Sequence, residues 1–176
     1  GCSDMEKMVD RINALNPDVV IYAGDIFDND YDALDDSERL VEIMRNVSAA
    51  YGSYAVFGNH DVTETLVGGF STASRTKAFR DPRMEAFLLQ AGINIMLDEV
   101  TTIADGKINL IGRLDGEKAG DGTSNRKDLS ELVKQCDMSK PVIVINHEPD
   151  KLHETAAMGV DVMLSGHTHA GQFFPL

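Results

Sequence analysis

Apolar residues along this chain follow two patterns, one with helical spacing and one continuous. Met5, Met8, Val9, Ile12 and Leu15 recur every three or four residues until Asn16-Pro17, the pattern of one face of an amphipathic helix. Ser3 and Glu6, at the start of that run, have the spacing of a capping box. Val19 to Ala23 is then unbroken and ends at Gly24-Asp25, which predicts a strand covered on both faces, as in a parallel sheet.

The same alternation continues to the end of the chain. Leu40, Val41, Ile43, Met44 and Val47 predict a helix over about Asp36 to Ala50, before a strand from Tyr54 to Phe57 that ends at Gly58-Asn59-His60. A helix from Pro82 to Ala91 leads to an apolar run from Ile93 to Leu97. Val100 to Ala104 and Lys107 to Ile111 flank Asp105-Gly106, which reads as a hairpin with a type I′ turn. A helix near Asn125 to Cys136 precedes the strand Val142 to Ile145, which ends at Asn146-His147. A short helix and the strand Val160 to Leu164 follow, ending in Ser165-Gly166-His167-Thr168-His169.

Alternating strands and helices predict an α/β fold with right-handed crossovers, here as one domain without repeats or linkers. Ligands of such sheets sit beyond the carboxyl ends of the strands. Four of the five histidines, His60, His147, His167 and His169, fall directly after predicted strands, so crossover geometry should gather them on one edge. Imidazole nitrogen with Asp and Asn oxygen, and no thiolate, suits a catalytic Mn, Fe or Zn centre better than a structural zinc knot. In an extended segment His167 and His169 point the same way, so they face two metals or share one. Asp25 offers an anionic carboxylate able to bridge two metals.

Charge narrows the partners. With 29 acidic against 16 basic residues the formal net charge is -13, and without a basic patch this argues against unspecific binding to nucleic acid or an anionic membrane surface. An anionic substrate would need metal ions to hold it. Cys2 and Cys136 fit no metal or redox spacing and read as ordinary thiols. No apolar run approaches the roughly 18 residues of a membrane span.

Gly24-Asp25-Ile26-Phe27-Asp28, Gly58-Asn59-His60-Asp61, the lone His147 after a strand, and Gly166-His167-Thr168-His169 together resemble the motif series of the calcineurin-like metallophosphoesterases. The ending GHTHAGQ is most similar to a bacterial branch whose members often carry a membrane anchor or export signal ahead of the domain. The resemblance implies a layered α/β/β/α sandwich and a phosphoesterase using two divalent metal ions. Its substrate would be a phosphomonoester or phosphodiester, as a phosphorylated small molecule or a lipid-linked one. Asp25 would bridge the metals, Asn59, His147 and His167 would complete one site, and His169 would serve the other. His60 would act beside the leaving oxygen, oriented by Asp28, while a metal-bound hydroxide attacks phosphorus.

One family motif is missing. The family opens with a strand ending in D-x-H, which supplies two further ligands to the His169 metal, and no D-x-H occurs here. The expectation is therefore a domain whose first strand and last strands lie outside these residues, with one metal site complete. A metal-binding but catalytically impaired fragment is the alternative reading.

Other signals carry less. Arg113, after a strand, is a candidate for contact with a substrate phosphate, against the plainer reading of a solvated loop arginine. His153 reads as a surface residue. Asp28, Asp30 and Asp32 mimic a calcium loop, but Ala33 and Arg39 stand where that loop needs Gly and Glu. Neither G-x-S-x-G nor a P-loop pattern is present.

Overall fold

The computed structural model describes residues 1–63, 66–67, 70–71, 78–120 and 125–168. Strands β1 (Val20–Ala23), β2 (Ser53–Val56) and β5 (Ile93–Ile95) form a parallel sheet in the order β1-β2-β5. A second sheet runs β6 (Glu99–Ile103), β7 (Ile108–Gly112), β8 (Val142–Ile145), β9 (Val162–Leu164), with β6 antiparallel to β7 and the rest parallel. A two-stranded hairpin, β3 (Leu66–Val67) and β4 (Phe70–Ser71), stands apart.

Side-chain alternation assigns the layers. Tyr54 and Val56 of β2 face Leu110 of β7 and Ile143 and Ile145 of β8, so the two sheets pack on each other. Ala55 and Phe57 point the other way, onto α2 (Ser37–Met44) and α3 (Pro82–Gln90), with Met5 of α1 (Cys2–Ala14) at the margin. Ile111, Val142 and Val144 meet α4 (Leu129–Val133), and Met158, just after α5 (Leu152–Ala157), joins them. The result is the expected α/β/β/α sandwich, whose sheets are apolar on both faces because each is covered twice.

The elements depart from the sequence pattern where tertiary partners intervene. α1 starts at Cys2 without a side-chain cap, and Glu6 pairs with Arg39 of α2 at 2.9 Å instead of closing a capping box. α2 stops at Met44; just beyond it the Arg45 guanidinium donates to Gln90 O, and Asn13 clasps residues 46 and 48 through its side chain. α4 starts only at Leu129, capped by Asp128. The hairpin connection is four residues long rather than the two of the expected type I′ turn: Ala104, Asp105 and Gly106 all take positive φ, Lys107 N meets Ile103 O as well as Ala104 O, and β6 and β7 close at Ile103 and Ile108. β1 and β9 are edge strands among the described residues: β1, expected to be covered on both faces, is only half-buried because just one side of it is paired, and β9 leaves Val162 and Leu164 exposed.

Candidate metal centre

β1, β2, β8 and β9 end on the same edge of the sandwich, and each hands a polar side chain to one point. At the end of β1 the chain reverses through Gly24 and Asp25, with φ 89° and 53°. Asp25 Oδ1 accepts the His60 amide at 3.0 Å, and Oδ2 lies 3.2 Å from His147 Nε2. Asn59 Oδ1 lies 3.1 Å from both His147 Nε2 and His167 Nδ1. One donor atom each from Asp25, His147 and His167 falls within 4.8 Å of the others. His167 also adopts a left-handed backbone, φ 63°, so two of the converging residues hold a conformation costing about 1–3 kcal/mol.

His147 organises this cluster. The ring is fully buried, and Nδ1 meets the Ala23 carbonyl at 2.7 Å. A carbonyl can only accept, so Nδ1 carries a proton, and Nε2 faces Asp25 and Asn59: in the imidazolium form it donates to Asp25, and in the neutral form it offers its lone pair to a cation there. Three glycines make room for the ring. A Cβ on Gly58 would stand 2.6 Å from His147 Cε1, one on Gly24 2.8 Å from Cγ, and one on Gly166 3.3 Å from Nδ1. Glycine in three of the motifs thus has one steric cause.

The electrostatics match a cation site. Burial raises the Asp25 carboxyl, but hydrogen bonds from His147 and the His60 amide outweigh it and hold it below the usual carboxylate range. Burial alone would lower His147, yet Asp25 and the Ala23 carbonyl keep the ring above its ordinary value. A carboxylate, an amide oxygen and two imidazole nitrogens converge with lone pairs inward, a set that fits a divalent metal ion.

His60 sits beside this cluster. Its Nδ1 meets Asn29 Oδ1 at 2.7 Å, while Asn29 N donates to His60 O at 2.9 Å and its side-chain amide to Val62 O. The expected partner, Asp28, is instead exposed. The correction follows from the backbone: Asn29 has φ 57°, a conformation Asn tolerates, and this turns its side chain inward. Asp61, part of a motif but without an expected role, accepts Phe27 N and Gly58 N at 2.7 Å each and braces the two loops. Burial pushes its carboxyl up against those bonds.

Arg113 is buried, with Nε 3.3 Å from Asp98 Oδ1 and Nη2 donating to Lys127 O. It is an anchored side chain rather than a solvated one. His153 is exposed, as expected, and His169 lies outside the described residues. Arg126 and Asn146 were not singled out by sequence. Arg126 Nη2 donates to Asn146 Oδ1, a pairing that no local pattern announces.

The sequence profile of the calcineurin-like phosphoesterases matches residues 1–171. The chain belongs to this family. Its members are metal-dependent phosphohydrolases, and Asp25, His147 and His167 form a group that could hold a metal ion. The chain is 30% identical to a transmembrane protein with metallophosphoesterase domain of Danio rerio, over all of the chain and 38% of that protein. It is 29% identical to the metallophosphoesterase YkuE of Bacillus subtilis, over 96% of the chain and 53% of YkuE. UDP-2,3-diacylglucosamine pyrophosphatase LpxG of Chlamydia trachomatis is 23% identical, over 96% of the chain and 58% of LpxG. The chain thus spans roughly two-fifths to three-fifths of these relatives. Among the described residues no helix is long and apolar enough to cross a membrane.

Proposed function

We propose that this chain carries the phosphoesterase centre of a metal-dependent hydrolase acting on a phosphomonoester or phosphodiester. The observation that carries the reading is the convergence of Asp25, Asn59, His147 and His167 from four strand ends, with His60 alongside. These four residues would hold a Mn, Fe or Zn ion, and Asp25 with His169 would serve a second. Such ions supply charge neutralisation at the phosphoryl oxygens and activate water.

The chain's own groups do the rest. Asp25 is oriented by the His60 amide, so the positions of His60 and of the Asp25 carboxylate are coupled. With Nδ1 donating to Asn29, His60 presents Nε2, which in the imidazolium form donates its proton to the leaving oxygen. The names of two relatives, a transmembrane protein and a pyrophosphatase of a diacylated sugar nucleotide, support a phosphorylated small-molecule or lipid-linked substrate. The net charge of -13 disfavours a nuclease.

The test uses p-nitrophenyl phosphate and its bis ester with Mn or Zn present. Turnover that falls in His60→Ala while metal content is retained supports the assignment. Metal binding without turnover of either ester favours the impaired-fragment reading. Since the described donors form one cluster, calorimetric titration is expected to give about one tight ion per chain.

A further inference from the structure

Next to the metal centre lies a cavity of about 420 Å³, bounded by the loop after β7, the segment entering α4, and α5. This is ligand size. Asn146, which lines the cavity, directly precedes His147, and Asp115, beside the lining Gly116, is within electrostatic reach of both His147 and Arg126. Two arginines line it. The Arg126 side chain is 14% exposed; Nη2 donates to Asn146, Nη1 stands 3.8 Å from Asp150 Oδ2, and Nε is buried without a partner. Arg113, 9% exposed, is fixed by Asp98 and the Lys127 carbonyl.

These guanidinium groups are close enough to repel. Burial, and then the charge of Arg126, hold Arg113 below its ordinary value. Asp150 stands 3.8 Å from Arg126 Nη1 and Asp115 also feels its charge, while Lys127 and Lys151 add positive charge to the same wall against Asp128 and Glu154. In a chain of net charge -13, two neighbouring, largely buried arginines on one cavity wall concentrate charge of the rarer sign. A planar donor fork matches phosphate geometry. Gly116 keeps the opening clear: a Cβ there would stand 2.8 Å from Arg126 Nη1.

We propose that Arg126, backed by Arg113, binds a second phosphate group of the substrate, adjacent to the one held at the metal centre. The preferred substrate class is then a diphosphate ester, a phosphoester whose phosphate is joined through one oxygen to a second phosphate. The reading rests on the phosphoesterase function for its purpose, but not for its test.

The metal-stripped protein is titrated with inorganic pyrophosphate at low salt. Binding of one pyrophosphate per chain is expected, weakened at least tenfold in Arg126→Ala and not in Lys7→Ala, which removes the same charge from α1. Absence of binding, or equal affinity in the two variants, overturns the proposal. Malonate binding as tightly as pyrophosphate overturns the phosphate assignment. If thermal melting shows that Arg126→Ala does not fold, Arg126→Lys decides: it keeps the charge and loses the fork, so affinity should fall several-fold, and an unchanged affinity rejects the site. The titration involves neither metal nor turnover, so its failure is distinct from failure of the phosphoesterase reading, which the p-nitrophenyl esters report.

Discussion

His147 donates its Nδ1 proton to the carbonyl oxygen of Ala23 at 2.7 Å, joining the end of a strand in one sheet to the end of a strand in the other. The same ring aims its other nitrogen at Asp25 and Asn59. Fold and metal centre therefore share one side chain, whereas the exposed His167 contributes to the centre alone.

That difference predicts a contrast. His147→Ala should lose the metal and also destabilise the metal-free protein by about 2–4 kcal/mol, since it removes a fully buried, hydrogen-bonded ring. His167→Ala should lose metal affinity similarly but cost under about 1 kcal/mol. Urea unfolding of the stripped proteins and metal analysis measure the two effects, and equal stability losses would contradict the linking role of His147.

The glycines around the ring give a second prediction. In Gly58→Ala the new methyl group would meet Asp25 N at 2.7 Å and His147 Cε1 at 2.6 Å. Backbone cannot move aside cheaply, so a loss of about 1–3 kcal/mol and a marked fall in metal affinity are expected. Gly92→Ala is the control. It has φ 78° but nothing within 4 Å of the added atom, so it should lose stability through backbone strain and keep its metal affinity.

The strand ends are legible in sequence because both the half-buried Val20–Ala23 and the buried Val142–Ile145 are continuous apolar runs that stop at the polar residues of the centre. What is not legible is set by distant partners. The apolar spacing from Asn125 onward suits a helix, but Arg126 and Lys127 are held in the preceding loop by Asn146 and Asp98. Glu6 has the spacing for a cap and goes to Arg39. Arg113 looks solvated until Asp98, fifteen positions away, is seen to hold it.

The choice between Asp28 and Asn29 illustrates the same limit and is open to measurement. Both lie within one acidic stretch, and one backbone angle decides which faces His60. Asn29→Ala should leave metal content near wild type and lower kcat about tenfold or more, because the ring loses the partner that fixes it. Asp28→Ala, on the exposed side of the turn, should change kcat less than twofold. The reverse ranking would restore Asp28 as the orienting residue.

The pH dependence of stability has a defined contribution from the turn before β8. Asp137 Oδ1 accepts the Ser139 hydroxyl at 2.6 Å and the Ser139 amide at 3.1 Å, while Lys140 Nζ lies 3.1 Å from Oδ2. The Ser139 hydroxyl first, and Lys140 next, pull this carboxyl down to about 2, against roughly 3.9 in an unfolded chain. A folded value below the unfolded one means that the stabilisation is complete above about pH 4 and disappears as pH falls through about 2. The buried Asn109 fastens the same turn through the Asp137 backbone, so the turn should stay formed while its carboxylate titrates. Denaturant unfolding of wild type and Asp137→Asn should differ by a constant amount from pH 5 to 7, with the gap narrowing below about pH 4. A gap that does not change with pH would mean that Asp137 stabilises the turn without its charge.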